Sequence, residues 1–272
     1  MTVEVYSWNA QRLRVRRTAR LAKGPLRRVL MKPVNNFGDL LAPIVVGGLL
    51  GQQVSTTGEG KNRRLFSIGS VLHIAKDGDV VWGAGRNGRF GHDRHTFSSL
   101  DVRAVRGPLT RAFLMEKGIA VPEVYGDPAL LLPRFMPELR QWLRTPQHDV
   151  TVVPNLDDKQ LLSRNQRVIP TGLLLNPCDP LRAVLKRIAQ SRLVVGSSLH
   201  AIVVAESLGI PARAFRASID PPFKYLDYYE GTGRKGVMIA DTAAAAMVMG
   251  GAEPLNWDPE PLMTSFPADL FT

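Results

Sequence analysis

From about residue 28 onward the chain repeats one hydrophobic pattern. A short run of aliphatic and β-branched residues meets a glycine-bearing turn, and a longer amphipathic stretch follows. Residues 28–34 read as a strand that ends in Asn35-Asn36-Phe37-Gly38-Asp39 and opens an apolar helix to about Leu50. Residues 65–68, 80–82 and 102–105 read as buried strands ending in Gly69-Ser70, Gly83-Ala84-Gly85 and Arg106-Gly107-Pro108. Pro108 suits the first turn of a helix reaching about Lys117, because its missing N–H is unneeded there. Residues 121–125 then lead as a strand into Gly126-Asp127-Pro128. Repeated strand–turn–helix units imply parallel sheets with helices on their faces.

Residues 133–149 carry three prolines and few strand signals, and mark a boundary. A second set follows: strands at 150–154, 167–169, 192–195 and 211–215, with helices from about 157, at 180–190 and at 199–208. Residues 258–271 read as a helix able to cross back to the first half. The expected architecture is α/β, two Rossmann-like domains over residues 29–140 and 141–272 facing a cleft, preceded by an arm over residues 1–28. In such folds ligands sit beyond the C-terminal ends of the strands.

With 272 residues, 44% of them hydrophobic, the chain can bury a sizeable core, which excludes wholesale disorder. Its one cysteine, Cys178, excludes an intrachain disulfide and a cysteine zinc cluster, and makes a reducing compartment the default. No run approaches the roughly 20 apolar residues of a membrane-spanning helix, and the N-terminus lacks a signal-peptide core. The net charge of +11 is lopsided: residues 1–32 hold nine Lys/Arg and one acid, Glu4. The rest is nearly neutral, which argues against a nucleic-acid platform, and no nucleic-acid module is visible. On a helix drawn to about Ala22, Trp8, Val15, Ala19 and Ala22 share a stripe beside Arg12, Arg16 and Arg20. Such a pattern suits an anchor on anionic lipid. It equally suits a solvated arm or a helix docked on its own domain.

The chemistry-bearing motifs fall at strand ends. Residues 193–195 run into Gly196-Ser197-Ser198, and a helix starts with Leu199-His200. Free N–H groups and the helix dipole make that start an anion site, and His200 lies in its first turn. The alternative is a serine N-cap with a packed histidine. Arg106 ends a strand where a bidentate grip on a carboxylate or phosphate is possible, or where it satisfies nearby carbonyls. Asn36 and Asp39 are either sugar-hydroxyl contacts or a capping turn. Lys224, Asp227, Tyr228 and Tyr229 offer a cation, an acid and rings that suit a core or a sugar face. The chain has no P-loop, HExxH or GxSxG, and the glycines of residues 83–88 do not fit a dinucleotide loop. His73, His92, His95 and His148 lack ligand spacing, so no metal is expected.

In order and spacing these motifs resemble the polysaccharide pyruvyl transferases. The resemblance covers about residues 32–229. It is carried by Asn36-x-Gly38-Asp39, Ser67-Ile68-Gly69-Ser70, Trp82-Gly83-x-Gly85, Arg106-Gly107-Pro108-x-Thr110-Arg111, Gly126-Asp127-Pro128, Ser198-Leu199-His200 and Lys224-x-x-Asp227-Tyr228-Tyr229. The run from Gly69 to Asp127 is most similar to xanthan-type ketal pyruvyltransferases, whose acceptor is a terminal mannose on a lipid-linked repeat unit. The resemblance implies a GT-B-like pair of domains and transfer of pyruvate from phosphoenolpyruvate to a hexose, forming a 4,6-type ketal and releasing phosphate. It implies His200 as the catalytic group, and Arg106, Ser198, Leu199 and Lys224 around the donor. Asn36, Asp39, Asn87, Tyr228 and Tyr229 are the expected acceptor contacts. Ser198 stands where many relatives carry Arg. Phosphoenolpyruvate is then a co-substrate and no cofactor is expected. A polyprenyl-diphosphate-linked acceptor would place the enzyme in the cytoplasm, peripheral on the inner face of the plasma membrane, held by residues 1–28. The rival enzyme reading is a sialyltransferase-like GT-B glycosyltransferase using a nucleotide sugar, since a fold does not fix its chemistry.

Overall fold

The computed structural model describes residues 3–8, 11–13, 31–57, 63–159 and 169–271. Two parallel sheets form. The first has the order β4-β1-β5-β6-β7, built from β1 (Glu4–Tyr6), β4 (Thr56–Thr57), β5 (Arg64–Phe66), β6 (Val80–Trp82) and β7 (Asp101–Ala104). The second has the order β10-β9-β8, from β8 (His148–Val153), β9 (Ser191–Gly196) and β10 (Ala212–Ala214). A separate antiparallel pair joins β2 (Gln11–Leu13) to β3 (Met31–Pro33). The helices among the described residues are α1 (Ala42–Leu50), α2 (Pro108–Glu116), α3 (Leu132–Phe135), α4 (Glu138–Leu143), α5 (Leu181–Ala189), α6 (Leu199–Ser207), α7 (Phe223–Gly231), α8 (Ala243–Met249) and α9 (Glu260–Thr264). No helix among the described residues is long and apolar enough to cross a membrane.

The α/β pattern read from the sequence holds, but the strand expected at 28–34 is β3 in an antiparallel pair outside both parallel sheets, and the helix expected over 258–271 is only α9 and a 3₁₀ turn, Ala268–Leu270. Three further differences follow. The first concerns the N-terminal arm. Val3, Val5 and Tyr6 are buried, and β1 lies inside the first sheet between β4 and β5. A run of β-branched and aromatic residues favours a strand that is covered on both faces. Residues 3–8 are therefore part of the fold, and Gln11–Leu13 form a strand where a helix starting at Trp8 was expected to run. The remainder of the proposed helix, residues 14–22, lies outside the described residues. Second, the strand expected at 121–125 shrinks to one parallel bridge, Val105 to Tyr125. Third, Ile169 is only a buried bend, and the bridge to β8 comes from Leu174; residues 167–168 lie outside the described residues.

One apolar core serves both sheets, taking in Val5, Leu65, Val80 and Trp82 together with Val153 and Val194. At its centre is α6, whose residues Ala201 to Ala205 are all buried, as expected of a helix apolar on every side. The C-terminal segment does cross back: Trp82 Nε1 donates to the Leu262 carbonyl at 2.9 Å, and Trp257 packs against Gly126.

The second tie between the halves is ionic. Arg106, at the end of β7, is fully buried and pairs with Asp227 of α7 at 2.8 Å. Asp227 also accepts from the Thr110 amide at 2.8 Å and the Thr110 hydroxyl at 2.6 Å, pinning the start of α2. Gly107 is required at this crossing, because a Cβ there would stand 1.7 Å from the Asp227 carbonyl oxygen. Asp227→Ala strands a buried guanidinium and should lower unfolding free energy by about 3–5 kcal/mol in urea titration. Pairing Asp227→Leu with Arg106→Met should recover a large part of that loss, since no charge is then left alone in the core. Equal destabilisation by the single and double variants would contradict this account.

Candidate active site

Beyond the C-terminal ends of the strands lies a cleft of about 250 Å³. Its wall on one side is the turn after β3, the short 3₁₀ helix Phe37–Leu40, together with Ser70 and residues 87–90. Its wall on the other is residues 155–157, the start of α6, and Asp220 with Lys224. Seven of the ten residues expected at the site line it: Asn36, Asp39, Asn87, Ser198, Leu199, His200 and Lys224.

The other three do not. Arg106 was expected to hold the donor's anionic groups, but its guanidinium is enclosed and occupied. Nε donates to Asp227 at 3.0 Å, Nη1 to the Ser70 hydroxyl at 2.6 Å, and Nη2 to the Arg86 carbonyl at 2.6 Å. It lies behind the cleft, separated from it by Ser70. Tyr228 and Tyr229, expected to contact the acceptor, are core residues with essentially no exposed surface. The Tyr228 hydroxyl donates to Glu206, which forms a buried pair with Arg234 at 2.7 Å. The Tyr228 ring is held inside by this bond to Glu206 of α6, and Tyr229 packs beside it at 5.4 Å between ring centres.

The start of α6 carries no side-chain cap, and the Ser198 amide itself donates to the Val153 carbonyl at 3.2 Å. Ser198 has the extended backbone of an N-cap, with φ −83° and ψ 113°, yet no side chain caps the first turn. Its N–H groups have no intrahelical partner either. The turn itself is braced: the Tyr225 hydroxyl donates to the Ser197 carbonyl at 2.7 Å, and the Ser197 hydroxyl accepts from the Asn155 amide at 3.1 Å.

His200 sits in that first turn, and its Nε2 is sealed from solvent with no hydrogen-bond partner among the described residues. Gly38 makes this possible, since a Cβ there would lie 2.1 Å from His200 Nδ1. Burial, with Arg106 and Lys224 nearby, pushes the imidazole down from 6.5 to about 3. Asp39 moves the other way. Burial raises its carboxyl from 3.8 to about 7, although Asn36 Nδ2 donates to Oδ2 at 2.6 Å and partly opposes the shift. The cleft therefore holds a neutral imidazole and, below about pH 7, a protonated carboxyl. Lys224 is paired with Asp220 at 2.8 Å, and Arg89 faces Asp157 at 3.8 Å across the mouth. Among the described residues no three His, Cys, Asp or Glu side chains gather as a metal site.

Ser70, Arg89, Phe90, Asn155, Asp157 and Asp220 also line the cleft and were not singled out from the sequence. Ser70 and Asn155 follow strand ends and were reachable by the topology rule. Arg89, Asp157 and Asp220 sit in loops with no pattern to mark them.

The sequence family described as Polysaccharide pyruvyl transferase matches residues 44–218, and the chain belongs to that family. Among characterised proteins it is similar to the succinoglycan biosynthesis protein ExoV of Rhizobium meliloti, 29% identical over 204 residues. The match covers 68% of this chain and 60% of that relative. No solved structure matches the chain.

The imidazole shift has a definite sign in stability. An unfolded chain takes up the His200 proton near 6.5 and the folded one only near 3, so folding is disfavoured as pH falls through that window. Relative to wild type, His200→Gln should gain stability as pH drops from about 6.5 toward 3, measured by urea unfolding. A stability difference that stays flat across that range would show that the imidazole is not held neutral.

Proposed function

We propose that this chain transfers pyruvate from phosphoenolpyruvate to a terminal hexose of an exopolysaccharide repeat unit, forming a 4,6-type ketal and releasing phosphate. The observation that carries this reading is the uncapped start of α6 beside a neutral, unpartnered His200, in a chain of the pyruvyl transferase family. We read the two sheets as a GT-B-like pair with the donor between them.

A donor bearing both carboxylate and phosphate needs several hydrogen-bond donors. The first-turn amides of α6 and the Lys224 ammonium supply some, with Lys224 exchanging Asp220 for the substrate. Ser70 supplies another. Its oxygen already accepts from Arg106, so its own proton is free to reach an anion, and the buried charge is felt through that hydroxyl. Arg106 thus serves the donor indirectly. Asn36, Asp39 and Asn87 stand on the opposite wall, where acceptor hydroxyls would lie.

The reaction must convert the donor's methylene to methyl, add one hydroxyl at C2 and displace phosphate with a second. His200, neutral before substrate arrives, is suited to take a hydroxyl proton and pass it to the departing phosphate. Fixed positive groups in a closed cleft stabilise that leaving anion.

The test is an assay of phosphoenolpyruvate with a panel of aryl mannosides, glucosides, galactosides and N-acetylhexosaminides. Wild type should release phosphate and yield a sugar carrying a pyruvate ketal by mass. His200→Ala should lose about 100-fold or more in kcat while remaining folded. Near-wild-type turnover by that variant would remove His200 from the chemistry. Transfer from nucleotide sugars alone would favour the glycosyltransferase reading.

The basic N-terminal segment fits work on a polyprenyl-diphosphate-linked acceptor at the inner face of the plasma membrane. Each Lys or Arg near an anionic surface contributes about 1 kcal/mol. Deleting the segment would remove β1 from the sheet, so substitution is the cleaner test. Changing Arg14, Arg16, Arg17, Arg20, Arg27 and Arg28 to Gln should weaken binding to phosphatidylglycerol vesicles and leave turnover on a soluble acceptor unchanged. Equal vesicle binding by both proteins would sink the membrane role.

A further inference from the structure

Three carboxylates line the cleft, and they are not equivalent. Asp157 faces Arg89 and Asp220 holds Lys224, whereas Asp39 has no cationic partner among the described residues. One of its oxygens, Oδ2, is held by Asn36 Nδ2 at 2.6 Å, and Oδ1 has no partner among the described residues. The backbone beneath is fixed as well. The Asp39 carbonyl accepts from the Ser7 hydroxyl at 2.8 Å, and Gly38 abuts the His200 ring so closely that a Cβ would not fit. A carboxyl without a counter-ion, oriented by an amide and set beside a histidine, is built to carry a proton rather than to pair with a cation.

We propose that Asp39 is the acid that protonates the methylene carbon of the enolpyruvate donor, leaving His200 to handle the second proton of the reaction. The proposal rests on the pyruvyl-transfer reading and divides its proton chemistry between two groups. The Asp39 carboxyl gives its proton to C3, which becomes a methyl group as the C2–C3 double bond opens. The first sugar hydroxyl forms a C–O bond at C2 and returns its proton to the Asp39 carboxylate. The second hydroxyl forms the other C–O bond at C2 as the C–O bond to phosphate breaks. Its proton passes through His200 to the departing phosphate. Two hydroxyl protons enter, one ends in the methyl group and one on phosphate, and no electrons are exchanged.

The groups that share the cleft with Asp39 favour this protonation state. They are Asn36 on its own turn, His200 from α6, Lys224 with Asp220, and Arg89 with Asp157. The two cations are each matched by an acid and the histidine is uncharged, so little opposes the cost of burying a carboxylate. Its proton is retained up to about pH 7, and an incoming anionic donor would hold it more firmly still. Since the acid form is the active one, turnover should be full at about pH 7 and below, and fall as pH rises beyond it.

Asp39→Asn keeps the shape and the Asn36 contact but has no proton to give. With phosphoenolpyruvate and the aryl hexoside panel, its kcat should drop at least about 100-fold. Calorimetric affinity for phosphoenolpyruvate should stay within about threefold. The alkaline limb of wild-type kcat should be absent from the residual activity, and Asp39→Glu should regain part of the rate together with that limb. If Asp39→Asn turns over like wild type, or loses donor affinity as much as rate, or keeps the alkaline limb, the assignment is overturned. A wild-type protein that makes no ketal with any acceptor overturns the transfer reading itself, and this proposal with it.

Discussion

A guanidinium and a carboxylate, both withdrawn from solvent, set the arrangement on which the cleft depends. Arg106 and Asp227 come from sequence positions 121 residues apart, and each is satisfied on every side it presents. Asp227 fixes the start of α2 through Thr110, while Arg106 fixes Ser70 and the Arg86 backbone on the cleft wall. A buried pair of this kind adds little net stability compared with apolar packing, because desolvation offsets the attraction. What it supplies is register. Two sequence motifs that look like separate ligand-binding fingers are the two sides of one internal lock.

That lock marks where sequence reading stops. Strand ends and helix starts were legible because glycine, serine and proline at fixed offsets announce them, and the cleft lies where the topology rule puts it. His200, Lys224, Asn36 and Asp39 were found on that basis. Arg106 was misplaced because an arginine at a strand end looks the same whether it faces solvent or a distant aspartate. Tyr228 and Tyr229 were misplaced because ring composition does not say which side of α7 faces inward. The N-terminal strand was hidden by the arginines that follow it. Charge drew attention to residues 12–28, while the pairing that decides the structure belongs to Val3, Val5 and Tyr6.

The two titrating groups of the cleft show what burial does when counter-ions are withheld. Removal from water disfavours whichever form is charged, so it drives a carboxyl and an imidazole in opposite directions. Asp39 and His200 differ from Asp220 and Lys224, their neighbours across the same space, in lacking a direct ionic partner among the described residues. The protonation pattern follows from which side chains were paired, with no special chemistry at either residue. A bound anion would alter both at once, favouring the proton on each.

The return of the C-terminal segment to the first sheet bears on motion. Trp82 is tied to Leu262 on one side and Arg106 to Asp227 on the other, with a shared core between. Two halves stitched at separated points cannot open as a clamshell about a single hinge. Substrate access must then come from small excursions of the rim, where the Arg89–Asp157 contact is long and solvent-exposed. Any opening of the cleft would then fall to its loops and not to swinging of domains.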